Sequence, residues 1–157
     1  MLKTGEKAPN FSAQNQEGST VTLTDLLAQA KHVVLYFYPK DNTPGCTAEA
    51  CSLRDGYAEL VKLGFTVVGV SADSAASHQK FIDKHQLPFT LLVDADHAIA
   101  EAYGTWGEKK FMGRTYMGMI RTTFIIGASG VVEQVFEKVN TKDHFNQILN
   151  WYKANNQ

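Results

Sequence analysis

The sequence is poor in features that reveal a function at once. It has only two cysteines in 157 residues, too few for a disulfide framework. Fifteen basic and sixteen acidic residues give a formal charge of −1, which provides no positive field for nucleic acid or an anionic membrane. The longest strongly apolar run, residues 33–38, is too short to cross a bilayer, and no stretch of signal-peptide character opens the chain. We therefore expect a soluble, cytoplasmic protein without a nucleic-acid or membrane partner.

Several motifs that carry well-known chemistry are also missing. No Gly-x-Gly-x-x-Gly follows a predicted strand, and there is no phosphate-binding loop. The five histidines are scattered singly and the cysteines lack the short spacing of zinc ligands, so we expect no metal site. The Cys-x-x-Cys motif of disulfide exchangers is absent, and no feature places a histidine beside a cysteine as a cysteine hydrolase requires.

The composition is that of an ordinary globular domain. Hydrophobic residues make up 44% and charged residues 20%, which excludes intrinsic disorder. No repeat, low-complexity tract or linker interrupts the chain, and its length fits one domain. We predict a single domain over residues 1–157.

The hydrophobic pattern predicts alternating strands and helices. Strands are predicted around Val21 and Leu23 and at 33–38, 65–70, 90–93, 122–126 and 131–136, helices at 47–63, 74–85, 98–103 and 141–153, and a Gly-rich loop at 104–118. Parallel crossovers followed by an antiparallel hairpin and a terminal helix give a mixed sheet with helices on both faces. The predicted class is α/β, with a thioredoxin-like fold and an N-terminal extension.

Cys46 lies in the most informative stretch, residues 39–51. It follows a buried strand and falls in the first turn of a predicted helix, where unpaired backbone N–H groups and the helix dipole favour a thiolate. Open α/β sheets also place their functional sites at the carboxyl ends of their strands, where Cys46 is expected. The alternative is that Cys46 is a small buried hydrophobe, the usual fate of a free cysteine. The placement favours a reactive cysteine.

Two motifs resemble those of the peroxiredoxin family. The pattern Pro-x-x-x-Thr-x-x-Cys at residues 39–46 matches its active-site motif, and Arg-Thr-Thr-Phe at 121–124 matches its second signature. A second cysteine five positions after the first, Cys51, and the segment 103–110 are similar to the bacterioferritin comigratory protein or Q-type subfamily. The resemblance extends over essentially the whole chain.

The resemblance implies a thiol-dependent peroxidase that reduces hydrogen peroxide and organic hydroperoxides. Cys46 would attack the peroxide and become a sulfenic acid, which Cys51 would resolve as an intramolecular disulfide. Arg121 would stabilise the thiolate and orient the peroxide, and Thr43 would hydrogen-bond to either. Pro39 would shield the pocket from water. Thioredoxin or a similar dithiol protein would reduce the bridge, and no metal, haem or flavin is implied.

Gly45 and Glu49 belong to the implied substrate pocket. Glu49 either pairs with a cation near the pocket or is simply an acidic residue favoured at a helix start. Trp106 and Phe111 either form a rim for bulky peroxides or pack the loop, and we favour packing. We expect a monomer, since no C-terminal cysteine extension offers an intersubunit bridge. The alternative function is a non-enzymatic redox sensor or holdase switched by the same disulfide.

Overall fold

The structure, a computed structural model, describes residues 1–156 and is built around a five-stranded mixed sheet. The strands are β1 (Ser12–Gln14), β2 (Thr20–Thr22), β3 (His32–Phe37), β4 (Phe65–Ser71), β5 (Thr90–Val93), β6 (Trp106–Phe111), β7 (Arg114–Met119), β8 (Thr122–Gly127) and β9 (Val132–Phe136). The helices are α1 (Leu23–Gln29), α2 (Pro44–Asp55), α3 (Tyr57–Lys62), α4 (Ala75–His85), α5 (Ala98–Tyr103) and α6 (His144–Asn155). In residues 1–156 no helix is long and apolar enough to cross a membrane.

The order of strands in the central sheet is β5-β4-β3-β8-β9. Strands β3, β4 and β5 run parallel, while β8 is antiparallel to β3 and β9 to β8. Helical crossovers separate the parallel strands, as the chain order strand, helix, strand, helix, strand predicted. The thioredoxin-like α/β fold is thereby confirmed. The small β1–β2 hairpin and α1 form the N-terminal extension.

Strand β3 divides the core into two halves, because successive side chains point to opposite faces of a strand. Val33, Leu35 and Phe37 face the side covered by α1 and α5. Val34 and Tyr36 face the side covered by α2, α3, α4 and α6. All five are fully buried. Because both faces of β3 are buried, the strand needs a continuous apolar run, and this run is what predicts the strand from the sequence.

The helix predicted over 47–63 is two helices. It begins earlier, at Pro44, whose fixed φ suits the first helical position. It breaks at Gly56, which has φ −95° and ψ 2°. A Cβ on Gly56 would lie 2.1 Å from Cδ1 of Phe145, so only glycine lets α6 approach this closely. The packing of α6 therefore requires glycine at the break.

The predicted loop over 104–118 is a hairpin formed by β6 and β7. Met112 and Gly113 form its two-residue turn, with φ +50° and +77°. Positive φ at both turn positions matches the twist of an antiparallel pair. The strand prediction near Leu23 is also wrong in part, since Leu23 begins α1 and the hydroxyl of Thr22 accepts the Asp25 N–H as its cap.

Candidate active site

Cys46 lies in the first turn of α2, just beyond the carboxyl end of β3. Its side chain is 1% exposed and its thiol is free. Thr43 precedes the helix in an extended conformation, and its side chain makes no capping hydrogen bond. The backbone N–H groups of the first turn, with the positive end of the helix dipole, are thus directed at Cys46 and its surroundings.

Arg121 reaches Cys46 because of the sheet register. It directly precedes β8, whose first residue, Thr122, is paired with Phe37 at the end of β3. Nη2 of Arg121 donates to Cys46 Sγ at 3.3 Å. A Cβ on Gly45 would lie 3.2 Å from the same Nη2, so glycine leaves room for the guanidinium at the helix start. The guanidinium is thus in direct hydrogen-bond contact with the sulfur.

Glu49 is completely buried on α2 and is the partner of the same guanidinium. Nη1 of Arg121 donates to Glu49 Oε1 at 2.6 Å. Burial raises the pKa of Glu49 to about 7, although Arg121 acts to lower it. Burial acts to lower the pKa of the Arg121 guanidinium. The charges of Glu49 and then Cys46 raise it, and the pKa is raised as a result. Glu49 therefore pairs with a cation beside the cysteine, one of the two alternatives that the sequence left open, and it lies beyond the first turn of α2.

A second buried group, His144, lies behind Glu49. Its Nε2 is 2.8 Å from Thr123 Oγ1 and 3.7 Å from Glu49 Oε2. Its Nδ1 is 2.7 Å from Gln147 Oε1, and Gln147 is oriented by donating Nε2 to the Lys138 carbonyl. Burial lowers the pKa of His144 to about 4, so the ring is neutral and donates from Nδ1. The sequence held no signal for this contact, which only the packing of α6 creates.

Thr43 and Pro39 lie in the loop between β3 and α2. The Thr43 hydroxyl donates to the Lys40 carbonyl at 2.9 Å, so in this conformation it is not the donor to Cys46. Pro39 is half-buried, two residues after the end of β3. The structure thus brings Arg121, Glu49 and Gly45 to Cys46, while Thr43 is adjacent with its proton engaged elsewhere.

A buried network fixes the same loop to α4. Asp41, Asp73 and His78 each bring a possible metal-ligand atom to within 4.8 Å of one another. These atoms already have protein partners, since Asp41 accepts from Tyr38 Oη at 2.6 Å and lies 2.7 Å from His78 Nδ1. Asp73 accepts the Asp41 N–H and the hydroxyl of Ser71. These hydrogen bonds anchor the loop after β3 to α4 and to the end of β4.

Cys51 lies on the same helix as Cys46 and is half-buried with a free thiol. Its Sγ lies 3.9 Å from Nδ1 of His85, the last residue of α4. Arg54, one turn further along α2, donates from Nη1 to the His85 carbonyl at 2.9 Å. The second cysteine therefore has its own polar neighbours, distinct from those of Cys46.

The two aromatic residues considered from the sequence, Trp106 and Phe111, lie at opposite ends of β6. Trp106 stacks on His97 with ring centroids 3.6 Å apart, so this residue packs against the fold, as we favoured from the sequence. Phe111 is 65% exposed at the hairpin tip and does not pack. Between them Lys109 donates to the Met119 carbonyl at 2.8 Å, and burial and the charge of Arg121 lower its pKa.

A buried free thiol against a guanidinium, on a thioredoxin-like fold, defines the class of thiol-dependent peroxidases. The chain belongs to the AhpC/TSA family, whose sequence model matches residues 4–135, and within it to the Bcp or Q-type peroxiredoxins. It is thus an antioxidant peroxidase with two cysteines that acts on hydroperoxides.

Individual relatives cover almost the whole chain. The peroxiredoxin Bcp of Escherichia coli strain K12 is 49% identical over 152 residues, which are 97% of this chain and 96% of that protein. The crystal structure of the peroxidoxin BcpB from Mycobacterium tuberculosis has a TM-score of 0.88 at 32% identity, covering 100% of both chains. The bacterioferritin comigratory protein of Xanthomonas campestris, which has alkyl peroxide reduction activity, gives a TM-score of 0.84 at 34% identity, covering 94% of this chain and 92% of that one.

Proposed function

We propose that the protein reduces hydrogen peroxide and organic hydroperoxides in a cycle carried by Cys46 and Cys51. The observation that supports it best is the 3.3 Å contact between Arg121 Nη2 and Cys46 Sγ. The Cys46 thiolate attacks the terminal peroxide oxygen, the O–O bond breaks, and the remaining oxygen leaves as an alcohol or water after taking a proton. Cys46 becomes a sulfenic acid, one step up the oxidation ladder of cysteine.

Arg121 has two tasks in this proposal. Its positive charge stabilises the thiolate, and its planar fork of donors holds the peroxide oxygens in line with the sulfur. Negative charge develops on the departing oxygen, and fixed donors in a partly dry pocket stabilise it better than water does. Glu49 holds the far side of the guanidinium and so fixes the direction of the fork.

The remaining pocket residues act through shape and hydrogen bonding. Thr43 turns its hydroxyl from the Lys40 carbonyl to the thiolate or the peroxide when substrate is bound. Pro39 shields the sulfur from water, and Gly45 keeps the space that Arg121 needs. Reduction of alkyl peroxides by the Xanthomonas campestris relative supports the inclusion of organic hydroperoxides.

The second half of the cycle restores the thiols. Cys51 attacks the sulfenic acid of Cys46, which gives an intramolecular disulfide and water. Thioredoxin or a similar dithiol protein then reduces the bridge by thiol–disulfide exchange. We propose that the protein does this as a monomer and that residues 1–157 act as a single domain.

Turnover and intact mass test the proposal together. With thioredoxin, thioredoxin reductase and an excess of peroxide, the wild-type protein should consume many peroxides per chain, whereas a sensor or holdase would consume about one. One equivalent of peroxide should lower the mass by two hydrogens. Cys46→Ser should lose all turnover, and Cys51→Ser should be oxidised without losing two hydrogens. Retained turnover in Cys46→Ser would contradict the assignment of the nucleophile.

A further inference from the structure

His85 has no part in the chemistry described so far, yet its ring faces the second cysteine. Nδ1 lies 3.9 Å from Cys51 Sγ, within hydrogen-bond range for sulfur. The other ring nitrogen, Nε2, is buried and has no hydrogen-bond partner within residues 1–156. Within residues 1–156, the Cys51 thiol is therefore the one hydrogen-bonding partner of the His85 ring.

The charges around this pair come from both helices. Lys84 precedes His85 on α4, and Arg54 on α2 donates to the His85 carbonyl and to the Asp55 carboxylate. Burial, followed by the charges of Lys84 and Arg54, lowers the pKa of His85. The imidazole is thus neutral near pH 7 and has a lone pair free to accept a proton.

We propose that His85 is the general base that removes the thiol proton of Cys51 in the resolving step. This rests on the proposed function, in which Cys51 attacks the sulfenic acid of Cys46. The Cys51 sulfur forms the S–S bond while the S–O bond of Cys46 breaks, with its electron pair going to oxygen. Nδ1 of His85 accepts the thiol proton and returns it through solvent to the departing hydroxide, which leaves as water. The thiol sulfur is oxidised and the sulfenic sulfur is reduced, so no other oxidant is needed.

Unwinding of α2 begins at its uncapped end, Pro44, and brings Cys46 toward Cys51. Cys51 remains beside His85 at this stage, so the base is within reach of the thiol proton as the S–S bond forms. The proton leaves as the sulfur attacks, because the thiolate is the form that attacks oxidised sulfur.

His85→Asn is the variant that tests this role. Asparagine retains a polar group near the Nδ1 position but accepts no proton. After one equivalent of hydrogen peroxide, rapid alkylation and intact mass would follow the sulfenic acid and the disulfide with time. Disulfide formation at pH 7 should be about tenfold slower, since an ordinary thiol is only a few per cent ionised at this pH. The rate in the variant should rise with pH through the titration range of an ordinary thiol.

Two further measurements separate a base from a merely structural residue. Added imidazole should restore disulfide formation in His85→Ala, because the site is partly exposed and the small base replaces the missing ring. His32→Asn, at the far end of β3 beside Glu133, is the matched control and should form the bridge at the wild-type rate. Equal rates and pH profiles for His85→Asn and wild type would overturn the role of His85 alone. Absence of the bridge in the wild type would overturn the proposed function and this inference with it.

Discussion

Glu49 and Arg121 form an ion pair beside Cys46, with 2.6 Å between Glu49 Oε1 and Arg121 Nη1. The second guanidinium nitrogen faces Cys46, and the second carboxylate oxygen lies 3.7 Å from Nε2 of His144. One guanidinium therefore connects a buried acid to the proposed nucleophile. Because the acid and the histidine are both desolvated, their protonation couples the stability of this region to pH.

Glu49→Gln is expected to gain stability relative to the wild type as pH rises. Burial raises the pKa of Glu49 from 4.5 to about 7, so in this window the folded protein keeps a proton that the unfolded chain has released. This group alone therefore lowers the free energy of unfolding between these pH values, by something on the order of 3 kcal/mol. Urea unfolding across this range should show that contribution as a growing difference in the free energy of unfolding between Glu49→Gln and the wild type.

His144→Gln should change the pH dependence in the opposite direction. Burial lowers the pKa of His144 from 6.5 to about 4, so its contribution to stability is present above pH 6.5 and is lost as pH falls toward 4. In the wild type this slope and that of Glu49 largely cancel between about pH 4.5 and 6.5. His144→Gln should then lose stability as pH rises, and Glu49→Gln should gain it. Slopes of the same sign in both variants would contradict the assignment.

Arg121→Lys should lower the second-order rate constant for peroxide by about 100-fold, the usual cost of one transition-state donor. The guanidinium contacts Cys46 and Glu49 at once, and an ammonium cannot span both positions. Stopped-flow fluorescence of the oxidation step measures the rate. Arg114→Lys, on the exposed hairpin strand β7, is the matched control and should match the wild type. A wild-type rate in Arg121→Lys would make the residue structural.

The parts of the fold that the sequence predicts are those that bury a continuous apolar pattern. Strand β3 was placed almost to the residue, because both of its faces are covered. The β6–β7 hairpin was missed because its side chains are mostly exposed and carry no alternating pattern. The requirement for glycine at the break, Gly56, was missed for another reason, since it comes from Phe145, almost ninety positions later in the chain.

The candidate site divides in the same way. Cys46 and Arg121 were found because a local motif marks each of them, and the sheet register brings the two together. His144 and His85 were not found, because each reaches its partner through the packing of a distant helix and has no motif of its own. Contacts between helices far apart in sequence are invisible to local patterns.

The placement of both cysteines on α2 has a consequence for the proposed disulfide. On an α-helix, residues five apart are rotated by about 140° and displaced by about 7.5 Å along the axis, which places their Cα atoms roughly 8–9 Å apart. A disulfide requires Cα atoms within about 4.4–6.8 Å and facing Cβ vectors. Cys46 and Cys51 therefore cannot bond while α2, Pro44–Asp55, is intact.

Oxidation is accordingly expected to unwind α2 over residues 44–53. No side chain caps its first turn, so that end frays readily, while the C-terminal end is held by Gly56 against Phe145. Hydrogen exchange should show amide protection in 44–53 before oxidation and its loss once the disulfide forms. Cys51→Ser cannot form the bridge and should stay protected after the same peroxide treatment. Because the sulfenic acid waits for this opening, peroxide in excess should over-oxidise Cys46. Equal protection in both redox states of the wild type would rule out the unwinding.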